Sequence, residues 1–164
     1  ARYWALDSVF GDMEFSPEDK LIDVGCGKCR ILAHLERKHF PGQLYGIELN
    51  PIVADYAKSW ADKYDNITIY SGDAFKLNYD EYTVIMLCRP FLEEMYLKFL
   101  DKLESEITHP VRVICYVDNY MAKHIKGKPG WTMHKQEILF KKGPIAYSYY
   151  PFRYSTWTYD PTNK

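Results

Sequence analysis

Residues Leu21 to Arg30 read LIDVGCGKCR, and this short stretch limits the fold more than any other part of the chain. An apolar run ends in Asp23, the glycine turn Gly25-Cys26-Gly27 follows, and a segment with helical spacing opens after it. That is a strand, a tight turn and a helix start. Glycines let a backbone approach a ligand closely, and the first N–H groups of a helix point at whatever is held there.

The pattern that follows repeats the unit. Lys20 to Val24 is expected as a buried strand and Lys28 to Lys38 as an amphipathic helix ended by Pro41-Gly42. Leu44 to Leu49 reads as a second strand, and Asn50-Pro51 opens a helix over Ile52 to Tyr64. Asn66 to Tyr70, Tyr82 to Leu87 and Val111 to Val117 are further strands, with a helix from Phe91 to Glu106 before the last. Between the third and fourth strands there is little room for a helix. Beyond Lys126 two long β-like segments, Trp131 to Phe140 and Ile145 to Tyr159, are joined by Lys141-Lys142-Gly143-Pro144. The expected fold class is α/β: a Rossmann-like, doubly wound, mostly parallel sheet closed by a C-terminal antiparallel hairpin.

The length of 164 residues predicts a single domain over residues 1–164. Ala1 stands first with Tyr3 and Trp4 close behind, which reads as the trimmed start of a longer protein. A net charge of −1 gives no overall electrostatic footprint for nucleic acid or an anionic membrane. No apolar run approaches the ~20 residues that span a bilayer, and the first residues lack the basic and apolar regions of a signal peptide. A cytoplasmic protein with no membrane partner is expected, with Cys26, Cys29, Cys88 and Cys115 as reduced thiols.

A GxGxx turn is shared by several classes of cofactor-binding protein, so its surroundings must discriminate. The dinucleotide fingerprint wants a small third residue where Arg30 stands, and Asp23 would set negative charge beside a pyrophosphate. A cationic ligand suits Asp23 better. In an ordered set of motifs from about Asp19 to Val117, the sequence resembles the class I S-adenosylmethionine-dependent methyltransferases, in particular small uncharacterised bacterial members. Asp23, Gly25 and Gly27 match the first motif, which implies contacts to the methionine part of S-adenosylmethionine. Glu48 closes the second strand where the family's carboxylate takes both ribose hydroxyls. Ser71-Gly72-Asp73-Ala74 resembles the adenine motif, in which the Asp accepts from the exocyclic amine and the following N–H reaches the ring. Cys26 and Leu49 complete the expected cofactor set, with Tyr3 as a lid over it. Each carboxylate follows a strand, and open α/β sheets bind ligands at those ends.

The departures bear on the acceptor. Cys29 replaces the third motif glycine, and Cys26-x-x-Cys29 with Cys88 nearby invites a metal or redox reading against one of small packed residues; no metal is expected. After the fourth strand, amine-directed members read Asn or Asp, Pro, Pro, aromatic, whereas this chain reads Cys88-Arg89-Pro90-Phe91. Arg89 supplies donors and a positive charge, which suits an anionic or carbonyl-bearing acceptor, or else it points to solvent. Arg89, Pro90 and Phe91 are therefore the candidate catalytic residues. Asp118, Tyr120 and His124 are further residues at the mouth, each with a plain structural reading as cap or solvated face. The crowded aromatics Tyr147, Tyr149, Tyr150, Phe152, Tyr154, Trp157 and Tyr159 read as a stacking platform or as a strand covered on both faces. Lys123, Lys126, Lys128, Lys135, Lys141 and Lys142 read as a solvated face or as a local basic stretch for an RNA or protein acceptor. The expected function is methyl transfer from S-adenosylmethionine to an unnamed acceptor, protein, RNA or small molecule, with a protein side chain favoured. The alternative is a non-catalytic binding module that keeps the cofactor pocket.

Overall fold

Apolar runs that pair as strands on both sides must be covered on both faces, and helices do this here. The computed structural model describes residues 1–139 and 152–164. In chain order the elements are α1 (Tyr3–Phe10), β1 (Lys20–Val24), α2 (Arg30–Arg37), β2 (Gln43–Glu48), α3 (Pro51–Ala61), β3 (Ile67–Ser71), β4 (Val84–Cys88), α4 (Glu93–Glu106), β5 (Val111–Tyr116), α5 (Met121–Ile125), β6 (Trp131–Leu139) and β7 (Phe152–Tyr159). The strands form one sheet in the order β3-β2-β1-β4-β5-β7-β6. The first five are parallel, and β7 runs antiparallel between β5 and β6. This is the expected doubly wound sheet with its closing antiparallel pair. The strand order reverses beside β1, so the ends of β1 and β4 flank the crevice where such sheets hold ligands.

Side-chain alternation divides the core into two layers. Leu21, Leu44, Val84, Met86 and Ile114 pack with α1, α2 and the small face of α3 on one side. Ile22, Val24, Ile85, Leu87, Val113 and Cys115 pack with α4 and α5 on the other. Only 3-10 turns, Ala74–Lys76 and Tyr79–Glu81, fill the space between β3 and β4.

Three features differ from the sequence reading. Residues before β1, to which no element is assigned from the sequence, form helix α1, whose Ala5, Leu6, Val9 and Phe10 are buried against the first layer. Helix α2 begins at Arg30 rather than Lys28, because the turn keeps left-handed backbone through Cys29. Helix α4 begins at Glu93 rather than Phe91, since Phe91 is spent packing beside Phe99, at 4.9 Å between ring centroids. The C-terminal aromatics that are described face inward, Tyr154 into the first layer and Trp157 and Tyr159 into the second. The expected turn at Lys141 to Pro144, with Tyr147, Tyr149 and Tyr150, and the side chain of Phe152, lie outside the described residues.

Candidate active site

The glycine turn leaves β1 in left-handed backbone, with φ of 68° at Gly25, 56° at Gly27 and 58° at Cys29. Only glycine adopts this region without strain, so the residue types follow from the path of the chain. Cys29 carries the cost of lacking that freedom. A side chain at Gly25 would also meet Pro90, whose Cβ lies 2.9 Å from where its own would stand. Above Gly27 the space is open. The turn is pinned to the C-terminal end of β2: Cys26 N–H donates to Ile47 O at 2.9 Å, and Gly27 N–H donates to Glu48 Oε2 at 2.9 Å. The other oxygen of Glu48 accepts the N–H of Asn50 at 2.9 Å.

Asp23 lies opposite Gly46 and Met86, on the side of the sheet covered by α1 and α2. It is buried, and neither carboxylate oxygen has a hydrogen-bond partner. Burial pushes its pKa up to about 8, with the negative charge of Glu48 adding to the rise and the ammonium of Ala1 opposing it. An unpartnered buried carboxylate is costly, and a cation placed beside it removes that cost.

A cleft of about 300 Å³ opens along the strand ends nearby. Gly25, Glu48, Leu49, Asp73, Ala74, Arg89, Pro90 and Phe91, all anticipated from the sequence, line it together with Ile47, Gly72, Phe75 and Met95. Asp73 Oδ1 accepts the N–H of Phe75 at 2.9 Å, capping the 3-10 turn and leaving Oδ2 available. Cys26 and Gly27 do not line it; they are tied to Ile47 and Glu48 at the end of β2. Tyr3 is the exception and corrects the expectation of a lid. Its ring stacks on His34 at 6.0 Å and takes the guanidiniums of Arg30 and Arg37 at 5.9 and 5.6 Å, because α1 packs on α2 instead of over the turn.

The cysteines pack. Cys29 Sγ donates to Cys26 Sγ at 2.9 Å, and that bond together with burial drives the Cys26 thiol well above its ordinary value. Burial pushes Cys88 up to about 11. Among the described residues no group of three His, Cys, Asp or Glu side chains is placed to hold a metal ion.

At the outer end of the cleft, Arg89 and Val117 follow β4 and β5 with φ of 52° and 57°. Such backbone in bulky residues clusters at functional sites. Asp118 has no exposed side-chain surface, yet it caps no helix with its carboxylate. It accepts from Arg153 Nε at 2.5 Å and from Gln136 Nε2 at 3.0 Å. Arg153 and Gln136 escaped the sequence reading, since their meeting with Asp118 depends on β7 folding back between β5 and β6. His124 pairs with Glu93 at 3.1 Å and Tyr120 leans on Tyr96, so neither stands free at the mouth.

This geometry can be set beside known proteins. A family model described as "Methyltransferase domain" matches residues 15–128. Among curated proteins, the "Probable ribosomal RNA small subunit methyltransferase A" of Methanosarcina acetivorans is 27% identical over 86 residues, which is 52% of this chain and 31% of that protein. The chain thus spans about a third of the length of the curated relatives it matches. Among solved structures, an RNA methyltransferase from Salinibacter ruber in complex with S-adenosyl-L-homocysteine superposes with a TM-score of 0.71 at 18% identity, covering 98% of this chain and 93% of that one. The M1A22 tRNA methyltransferase TrmK of B. subtilis gives a TM-score of 0.71 at 13% identity, covering 94% and 64%. At such identities the likeness is one of fold. The family match covers well over half of the sequence, and by it the chain belongs to the methyltransferase domain family.

Proposed function

We propose that the chain is an S-adenosylmethionine-dependent methyltransferase whose acceptor is RNA, with residues 1–164 acting as one unit in the cytoplasm. The observation that carries the cofactor is Asp23, a buried carboxylate with both oxygens unpartnered beneath the glycine turn. Asp23 would hold the cofactor's methionine ammonium, which would be the donor its oxygens lack. Glu48 uses one lone pair of each oxygen on the backbone, and its remaining lone pairs suit the ribose hydroxyls. Asp73 Oδ2 and the N–H of Ala74 suit the adenine edge, and Leu49 lies along the same side of the cleft. The open space over Gly27 admits the amino-acid part.

When bound, S-adenosylmethionine supplies an activated methyl group on its sulfonium. The work of the protein is then placement: Arg89, Pro90 and Phe91 form the cleft wall on the β4 side and set the line along which an acceptor atom enters. Cys88, held protonated by burial, is no nucleophile. RNA is preferred over a protein side chain as acceptor because the relatives above are named for ribosomal RNA, RNA and tRNA. No helix among the described residues is long and apolar enough to cross a membrane.

Incubation with methyl-labelled S-adenosylmethionine and fractionated cell extract tests this. Label that enters a ribonuclease-sensitive fraction is expected. Label in a protease-sensitive fraction would replace RNA by protein, and cofactor binding without turnover would favour the non-catalytic module.

A further inference from the structure

The sheet register places a second arginine beside Arg89. Cys88 pairs with Tyr116, and Tyr116 pairs with Tyr154. The next residue outward on each strand is Arg89 after β4, Val117 after β5 and Arg153 on β7, which runs the opposite way. Strand spacing of about 4.8 Å therefore sets the backbones of Arg89 and Arg153 about 10 Å apart, with Val117 between them. Arg89 lines the cleft, and Arg153 stands at the corresponding level two strands away.

Arg153 is held there by construction. Asp118, whose side chain has 0% exposure, binds its Nε at 2.5 Å, and the Asp118 N–H donates to Arg153 O at 3.2 Å. Gln136 Nε2 occupies the second carboxylate oxygen at 3.0 Å, so the carboxylate cannot turn. The guanidinium keeps its Nη groups, which make no other bond among the described residues, on a side chain that is 37% exposed. Burying a carboxylate to orient one exposed guanidinium costs desolvation, and the return is a donor fork fixed in direction. Arg89 is exposed, lines the cleft and forms no ion pair among the described residues. Its left-handed backbone aims it by the path of the chain rather than by a partner. Planar forks of this kind suit phosphate oxygens, and a pair of them suits a chain of phosphates.

We infer that Arg153, oriented by Asp118, and Arg89 form a two-point anchor for the sugar-phosphate backbone of an RNA acceptor, so that the nucleotide between the anchored phosphates is presented to the cleft. This rests on the reading of the chain as an RNA methyltransferase and adds to it a positioning residue on β7. It also explains how a chain of net charge −1 would hold a polyanion, through a local pair instead of a basic face.

The test is fluorescence anisotropy with a short fluorescein-labelled single-stranded RNA over a series of potassium chloride concentrations. Wild type, Arg153→Gln, Arg153→Lys and Arg89→Gln are compared, and S-adenosylhomocysteine binding is measured by calorimetry on the same samples. Arg153→Gln is expected to weaken RNA binding several-fold and to flatten the plot of log affinity against log salt by about 0.7, the loss of one phosphate contact on a single strand. Arg89→Gln should do the same. Arg153→Lys should keep the salt slope while losing affinity, because it retains the charge without the fork. S-Adenosylhomocysteine binding should be unchanged in both Arg153 variants, which also reports that they are folded. RNA affinity and slope that do not move in Arg153→Gln, or wild type that does not bind RNA, would overturn the anchor. Loss of S-adenosylhomocysteine binding already in wild type would instead strike the cofactor reading beneath it.

Discussion

Glu48 Oε2 accepts the backbone N–H of Gly27 at 2.9 Å, so a carboxylate at the end of β2 fixes the glycine turn that follows β1. The same side chain thus does structural work and faces the cleft where a ribose is proposed to lie. Replacing Glu48 by Ala removes both, and S-adenosylhomocysteine affinity should fall by about 1–3 kcal/mol. Glu48→Gln should fall between, because its amide oxygen can still accept one N–H. Calorimetry on the two variants reads this directly, and equal affinity in all three proteins would remove Glu48 from the cofactor site.

Asp23 makes binding depend on pH with a definite sign. Burial raises its pKa to about 8, which leaves it protonated at neutral pH, and it must ionise to face an ammonium. Cofactor affinity should therefore rise with pH, level off above about 8, and release protons on binding near neutrality. Folding stability runs the other way. A carboxyl whose folded pKa exceeds its ordinary 3.8 contributes fully below that value, and its contribution is lost as pH rises through about 8. Asp23→Asn should flatten both dependences and weaken the cofactor. Calorimetry in buffers of different ionisation enthalpy counts the protons, and an unchanged proton release in Asp23→Asn would assign them elsewhere.

Gly25 couples the turn to the acceptor edge. An alanine there would carry φ of 68° and place its Cβ 2.9 Å from that of Pro90. Gly25→Ala should destabilise the fold by about 1–3 kcal/mol and displace Pro90, reducing methyl transfer more than cofactor binding. A urea melt beside a turnover assay separates the two effects.

Much of this was legible in the sequence because it is local. The turn Asp23 to Gly27 and the helix start at Asn50-Pro51 each depend on residues close in the chain, the parallel strands betray themselves as apolar runs, and Glu48 and Asp73 were singled out by the family resemblance at the ends of those strands. Helix α1 was missed because its apolar positions occupy barely two turns at the start of the chain. Tyr3 was misjudged for the same reason: without α1 there was no way to see that its ring would be committed to His34 and two arginines of α2. Arg153 and Gln136 were beyond reach because they join Asp118 only through the antiparallel return of β7.

The cap of α3 gives a prediction independent of chemistry. Asn50 Oδ1 accepts from the N–H groups of Ile52 and Val53 at 3.0 and 3.4 Å. Asn50→Ala should cost about 1 kcal/mol of stability by urea denaturation, and Asn50→Ser should recover most of it. Equal midpoints for all three would mean that the cap contributes nothing.

The cleft lined by Glu48 and Asp73, with the buried Asp23 at the end of β1 beside it, is proposed to take a cationic adenosyl ligand. Titration of the purified chain by calorimetry with S-adenosylmethionine, S-adenosylhomocysteine and NAD tests it most directly. Micromolar binding of the first two with none of NAD is the predicted result. Binding of NAD, or of none of the three, would contradict the account at its base.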